Sequence, residues 1–344
     1  MNLPNADPRI ALLAEWLANA LHSDAFTLAP ASEDASFRRY FRVRLPAPHA
    51  IAPGAVTLIA MDAPPPAENC RPFVHVAALM GEAGINVPRV LAQDIARGFL
   101  LLTDLGPTTY LRALDADNAN DLFRDAIDTL LRWQLASRPD VLPPYDTALL
   151  RRELELFPEW YVGRHLGQAL KQDERNAIAQ VFDLIIASNL AQPKVFVHRD
   201  YMPRNLMVST PNPGVLDFQD AVFGPITYDI ASLFRDAFVS WPDERVLDWT
   251  IRYWEKAKRA GLPVTTDFAL FHRDCEWMGL QRHLKVLGIF ARIRHRDGKE
   301  GYVEDTPRFL AYVRPVAGRY RELAPLAHLL DRLAQRPHSV GHTF

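Results

Sequence analysis

The stretch VFVHRDYMPRNLMV, Val195 to Val208, decides how the rest of the chain is read. It opens and closes with apolar residues of strand character. Between them stand a histidine, two arginines, an aspartate, a proline and an asparagine. Polar groups beside a core are costly unless they do something. Their spacing is H-R-D-x-x-x-x-N: Asp200 follows His198 and Arg199, and Asn205 lies five residues on. Twelve residues further, GVLDFQDA sets Asp217 at the end of an apolar strand. Phosphoryl transfer needs such a set. One carboxylate orients the attacking hydroxyl and takes its proton, while an amide oxygen and a second carboxylate hold Mg²⁺ against nucleotide phosphates. A loop between two paired strands would project Asp200 and Asn205 to one side, and the second strand would bring Asp217 alongside. The competing reading is a capped turn whose Asp and Asn bond only local backbone.

N-terminal to this stretch, the chain is strand-rich after a leading helix. AFTLAPAS, YFRVRLPA and AVTLIAMDA have strand length, β-branched and aromatic content, and turn residues between them. A helix is expected over 71–83, ended by Gly84. VPRVLAQDI and GFLLLTDLG then form a hairpin around Ala96-Arg97-Gly98, which completes a five-stranded antiparallel pattern. After Gly106 helical patterns dominate, over 118–137, 147–167, 172–190, 229–239, 242–260, 265–293 and 305–334, interrupted by a short strand pair around 195–217. The predicted class is α+β and bilobal: a small antiparallel β-rich lobe over 1–104 and a large helical lobe over 105–344, joined at Leu102 to Gly106. Small-molecule sites favour clefts between lobes.

Composition narrows the partners. The 344 residues are 49% hydrophobic and 23% charged, with a net charge of −2. Nothing in that balance favours nucleic acid. Cys70 and Cys275 are too far apart in sequence to suggest a metal motif or a disulfide framework. The N-terminus reads as an amphipathic helix after Asp7-Pro8, and no apolar run is long enough for a bilayer. A cytoplasmic monomer acting on a small molecule, with no nucleic-acid or membrane partner, is expected.

The catalytic stretch, Asp217 and the β-rich lobe together resemble the aminoglycoside phosphotransferase superfamily, relatives of protein kinases. The resemblance implies a protein-kinase-like fold with ATP as phosphoryl donor. It makes Asp200 the catalytic aspartate, Asn205 and Asp217 the Mg²⁺ ligands, and His198 a support of the catalytic loop. Asp229, in GPITYDIASLF, is able to cap the helix it precedes, and the family has a similarly placed structural aspartate. Asp220 is left between a substrate role and a salt bridge.

The pattern departs from protein kinases in two places. The third strand, VTLIAMDAPP, has no lysine, and Met61 stands where one would be sought. No glycine-rich loop precedes it; ASEDASFRRYFRVR takes its place. Ser36, Arg38, Tyr40, Arg42 and Arg44 alternate with Phe37, Arg39, Phe41 and Val43, so one strand face is rich in guanidinium groups able to grip phosphate. Arg38 and Arg42 are the expected phosphate ligands, with Ser36 at the loop tip. Backbone near Leu102 to Asp104 is expected to meet adenine.

VHRDYMPRNLM, RRELELFPEWYV, VLDFQDAVFGPITYDIASLFRDAF and LQRHLKVLGIFARIRHRDGK are similar to one subfamily, the anomeric kinases of N-acetylmuramate and N-acetylglucosamine used in bacterial cell-wall recycling. MDAPP in place of a lysine-bearing strand fits it as well. On a helix over 280–296, Arg282, Lys285, Arg292 and Arg296 share a face. Such a stripe suits a substrate carboxylate and opposes a polycationic aminoglycoside; the alternative is a solvated face. Glu153, Glu159 and Trp160, expected on one helix, are candidates for sugar hydroxyls and ring stacking. The competing functions are kinases of choline, homoserine, thiamine or aminoglycoside type, and a nucleotide-binding pseudokinase.

Overall fold

The computed structural model describes residues 7–32 and 37–334. Along the chain run α1 (Pro8–Leu21), β1 (Thr27–Ser32), β2 (Arg39–Arg44), β3 (Thr57–Asp62), α2 (Arg71–Glu82), β4 (Val90–Asp94), β5 (Phe99–Thr103) and α3 (Tyr110–Ala113). There follow α4 (Ala119–Leu135), α5 (Thr147–Leu154), α6 (Gln172–Ala191), β6 (Lys194–Val197), β7 (Leu206–Met207), β8 (Gly214–Val215) and β9 (Val222–Pro225). The last are α7 (Tyr228–Phe234), α8 (Asp243–Arg259), α9 (Phe268–Asp297), α10 (Thr306–Arg319) and α11 (Ala324–Ala334).

Two compact units emerge. The first takes the residues up to Asp115 together with Arg204–Asp220; the second takes Ala116–Pro203 and everything from Ala221. Contacts across a hundred residues explain why 204–220 joins the first unit. Val208 N–H donates to Thr108 O at 2.9 Å and Val215 N–H to Asn86 O at 2.8 Å. The chain therefore divides inside the quoted stretch, rather than by a single cut after residue 104.

In the first unit the five strands are antiparallel, in the order β1-β2-β3-β5-β4. Leu13, Trp16, Leu17 and Leu21 of α1 pack on one sheet face with Phe41, Val43, Leu58, Ala60, Phe99 and Leu101. The alternate residues Tyr40, Arg42, Ile59, Met61, Leu100 and Leu102 therefore line the other face. Asp7 accepts the Arg9 N–H at 2.9 Å and Pro8 opens α1, a start pre-set by proline's fixed φ. Asp62, fully buried, holds α1 to the sheet: its carboxylate accepts from Arg9 and, at 2.6 Å, from Arg39.

Four sequence expectations are corrected here. The strands that flank the catalytic loop do not pair with each other; β6 pairs with β9, and β7 with β8. Helix 147–167 is two segments, α5 and a π-helical stretch from Phe157 to His165. Pro158 lacks the N–H that would continue the α-helical ladder. The 305–334 run is also two helices, because Tyr320 turns extended between α10 and α11. The 229–239 helix stops at Phe234, where the Asp236 carboxylate accepts the N–H groups of Phe238 and Val239 at 3.1 and 3.2 Å.

Candidate active site

The first unit carries groups suited to nucleotide phosphate. Asp217 follows β8 with φ of 63°, the left-handed region that aspartate tolerates better than most residues. Its carboxylate is held on both oxygens, by Asn205 Nδ2 at 3.3 Å and Gln219 Nε2 at 2.8 Å. A buried carboxamide beside a carboxylate offers the hard oxygen donors that Mg²⁺ takes. Among the described residues no cluster of three or more His, Cys, Asp or Glu side chains could hold a metal by itself. The donor set thus fits an ion that completes its shell with water and phosphate oxygens.

Arg38 and Arg42 are differently placed. Arg42 is committed to Asp104, with Nε 2.7 Å and Nη2 3.2 Å from its carboxylate, and also donates to Gly106 O at 3.2 Å. Burial raises the Asp104 pKa, but Arg42 and the Gly106 N–H outweigh it and hold the group below its usual range. Two residues proposed to touch nucleotide therefore satisfy each other. Arg38 Nε instead pairs with Glu68 at 3.0 Å. Burial opposes its charge, yet Tyr40, Glu68, Asp220 and Asp217 keep its pKa raised. Glu68 was not anticipated; its only signal in the sequence is an acid just ahead of α2. Leu102 has a buried side chain and pairs with Ile59 of β3 and Val90 of β4, so the chain leaves the sheet only after Thr103. Ser36 lies outside the described residues.

The second unit carries the candidate base. Asp200 is half-buried, and its N–H donates to His198 Nδ1 at 3.3 Å. Asp229 is not an N-cap. It lies in the first turn of α7, fully buried, and accepts the backbone N–H of His198 at 2.8 Å and of Arg199 at 3.0 Å. Burial pushes its pKa up to about 7, against the pull of those two donors.

Glu153 is not placed to receive sugar hydroxyls. Oε1 accepts from Arg199 at 2.5 Å and Lys285 at 2.9 Å. Oε2 accepts from Gln281 at 3.0 Å and from the Tyr145 hydroxyl. Burial raises its pKa, and Lys285 and Arg199 more than reverse that, down to about 2. Glu159 and Trp160 belong to the π-helical stretch, Glu159 exposed and Trp160 half-buried with Arg164 over its ring.

The basic face of α9 is no uniform stripe. Arg282 and Lys285 are buried, Arg292 is half-buried, and Arg296 is exposed and paired with Asp297. Arg282 and Arg292 stand about 15 Å apart along the axis at ~1.5 Å per residue, too far to grip one carboxylate together. Arg282 is distinctive: among the described residues its buried Nη1 has no partner, and Nη2 has only Met202 Sδ at 3.7 Å. Asp236, unmarked in the sequence, likewise keeps a buried Oδ1 without a partner there.

With this geometry in hand, comparison with known proteins decides the family. The phosphotransferase enzyme family model matches residues 27–266. This chain belongs to that family. An N-acetylmuramate/N-acetylglucosamine kinase of Pseudomonas putida is 55% identical over 341 residues, covering 96% of this chain and 98% of that one. The protein of the same name from Pseudomonas aeruginosa is 56% identical over 308 residues, covering 90% of this chain and 89% of its own length. Choline kinase from Cryptosporidium parvum aligns with a TM-score of 0.62 at 12% identity, over 94% of this chain and 99% of that one. That likeness establishes the kinase-like fold. The chain is a phosphotransferase that uses ATP as donor and an alcohol group as acceptor. Among the described residues no helix is long and apolar enough to cross a membrane.

Proposed function

We propose that this phosphotransferase transfers the γ-phosphoryl group of ATP to the anomeric C1 hydroxyl of N-acetylmuramate and N-acetylglucosamine, serving peptidoglycan recycling in the cytoplasm as a monomer. The observation that carries the substrate is 55% identity over nearly the whole chain to a kinase named for those two sugars. The chemistry rests on this chain's own residues. Asp200 takes the proton of the C1 hydroxyl, which is more acidic than an ordinary alcohol because the ring oxygen withdraws electron density. The hydroxyl oxygen attacks the γ-phosphorus, the bond from that phosphorus to the β–γ bridging oxygen breaks, and ADP leaves. Asn205 and Asp217 would hold Mg²⁺, which when bound neutralises phosphate charge. Arg38, steadied by Glu68, is the proposed stand-in for the absent third-strand lysine. Arg42 is not, since Asp104 and Gly106 occupy its guanidinium. Glu159, Trp160 and Arg292 remain proposed sugar contacts, and Arg282 the contact for the lactyl carboxylate.

ADP release measured with each sugar tests this. N-acetylmuramate and N-acetylglucosamine should both elicit it, and their 1-O-methyl glycosides should not, because the methyl group removes the proton and blocks the attacking oxygen. Asp200→Asn should lose roughly 10²- to 10⁴-fold in turnover. Phosphorylation of the methyl glycosides would move the chemistry off C1. Release with only an unrelated alcohol would overturn the sugar, and none with any acceptor would point to a pseudokinase.

A further inference from the structure

Arg199 is the middle residue of the H-R-D triplet, and its backbone has φ of 78°, a left-handed conformation that a side chain with a Cβ rarely adopts. Something must hold it there. Asp229 holds its N–H, as described. Its guanidinium is held by Glu153, which stands on α5 and is bonded on its other sides by Lys285 and Gln281 of α9 and by Tyr145. Lys285 in turn donates to the Tyr228 hydroxyl of α7 at 3.1 Å. The carboxylate thus sits where the catalytic loop, two helices and the Tyr145 segment meet, fully committed and almost wholly buried. It is shared by two cations, so the cluster carries a surplus positive charge one residue from Asp200.

We infer that Glu153 and Arg199 are positioning residues of the transfer reaction: the ion pair fixes the left-handed turn at Arg199 and so aims the Asp200 carboxylate. The inference rests on Asp200 being the base. The mechanism is a tether rather than a contact with substrate. A small displacement of a reacting group costs turnover far more than it costs binding.

The arrangement makes a clean test possible. In Arg199→Ala, Glu153 keeps Lys285 as partner, so no buried charge is stranded and the fold is retained. Glu153→Gln keeps the shape but releases Arg199. Each single variant should lower kcat by ~10²-fold and leave the KM for ATP within about twofold. The double variant should be no worse than the weaker single, since both act through one link. Arg199→Lys, which keeps the charge, should recover part of the loss. Circular dichroism and thermal melting are recorded for each variant. A folded Arg199→Ala or Arg199→Lys with kcat within about threefold of wild type overturns the inference. So do effects that multiply in the double variant, or a defect that falls on the KM for ATP instead of kcat. Asp200→Asn measured beside them separates the two readings: if it turns over normally, the base assignment fails, whatever the cycle shows.

Discussion

Asp217 shows how much depends on single side chains in the set proposed to handle phosphate. Its left-handed backbone turns the carboxylate toward Asn205 and Gln219, whose amides fix both oxygens. A carboxylate brings full charge to a cation, whereas a carboxamide brings only a dipole. Asp217→Ala should therefore weaken Mg·ATP binding more than Asn205→Ala, a ranking that calorimetric titration reads directly. Wild-type affinity in Asp217→Ala would place the cation elsewhere. Arg38 and Arg42 teach the complementary point. The two look equivalent on one strand face, yet one spans to Glu68 and the other is locked to Asp104.

At the scale of elements, the second unit depends on how closely α9 approaches the turn after α5. Gly288 makes that approach possible: a Cβ built on it would fall 2.4 Å from the backbone carbon and oxygen of Leu156. No flexible side-chain end is involved, so backbone has to give. Gly288→Ala should destabilise the protein by about 1–3 kcal/mol, in line with overpacked interiors, seen as a lower melting temperature. It should also reach the chemistry. Gln281 and Lys285 precede Gly288 on α9, and Glu153 lies three residues before Leu156, so pushing the elements apart stretches the bonds on Glu153. A normal kcat in a destabilised Gly288→Ala would mean that the cluster tolerates the shift.

For the molecule as a whole, the question is what distinguishes its two proposed sugars. N-acetylmuramate bears a lactyl carboxylate that N-acetylglucosamine lacks. Of the three cations first proposed to meet it, Lys285 is bonded to Glu153, and Arg292 is a long way down the helix. Arg282 alone of the three combines deep burial with an Nη1 that has no partner among the described residues. Arg282→Ala should lower kcat/KM for N-acetylmuramate by about 5- to 10-fold more than for N-acetylglucosamine. That difference corresponds to about a kilocalorie, as expected of a modest ion pair. Equal losses for both sugars would assign Arg282 to structure, as the counter-charge that burial demands for Asp236.

The sequence alone determined the family and the order of elements. Strand and helix signals are local, written in periodicity and in turn residues such as Gly84, Gly98 and Pro8, and the five-stranded sheet follows from them. The H-R-D-x-x-x-x-N spacing was equally local, which made Asp200, Asn205 and Asp217 visible as candidates before any contact was known. Tertiary structure decided the partners. Glu153 lies 46 residues from Arg199 and 128 from Gln281 along the chain, and Arg38 lies 30 from Glu68. No periodicity records such distances. Burial set the outcome there, since a charge taken out of water must find an opposite charge wherever the fold supplies one. That requirement turned a candidate sugar ligand into the anchor of the catalytic loop. It also resolved an apparently continuous basic stripe into two buried cations, a half-buried one and an exposed one.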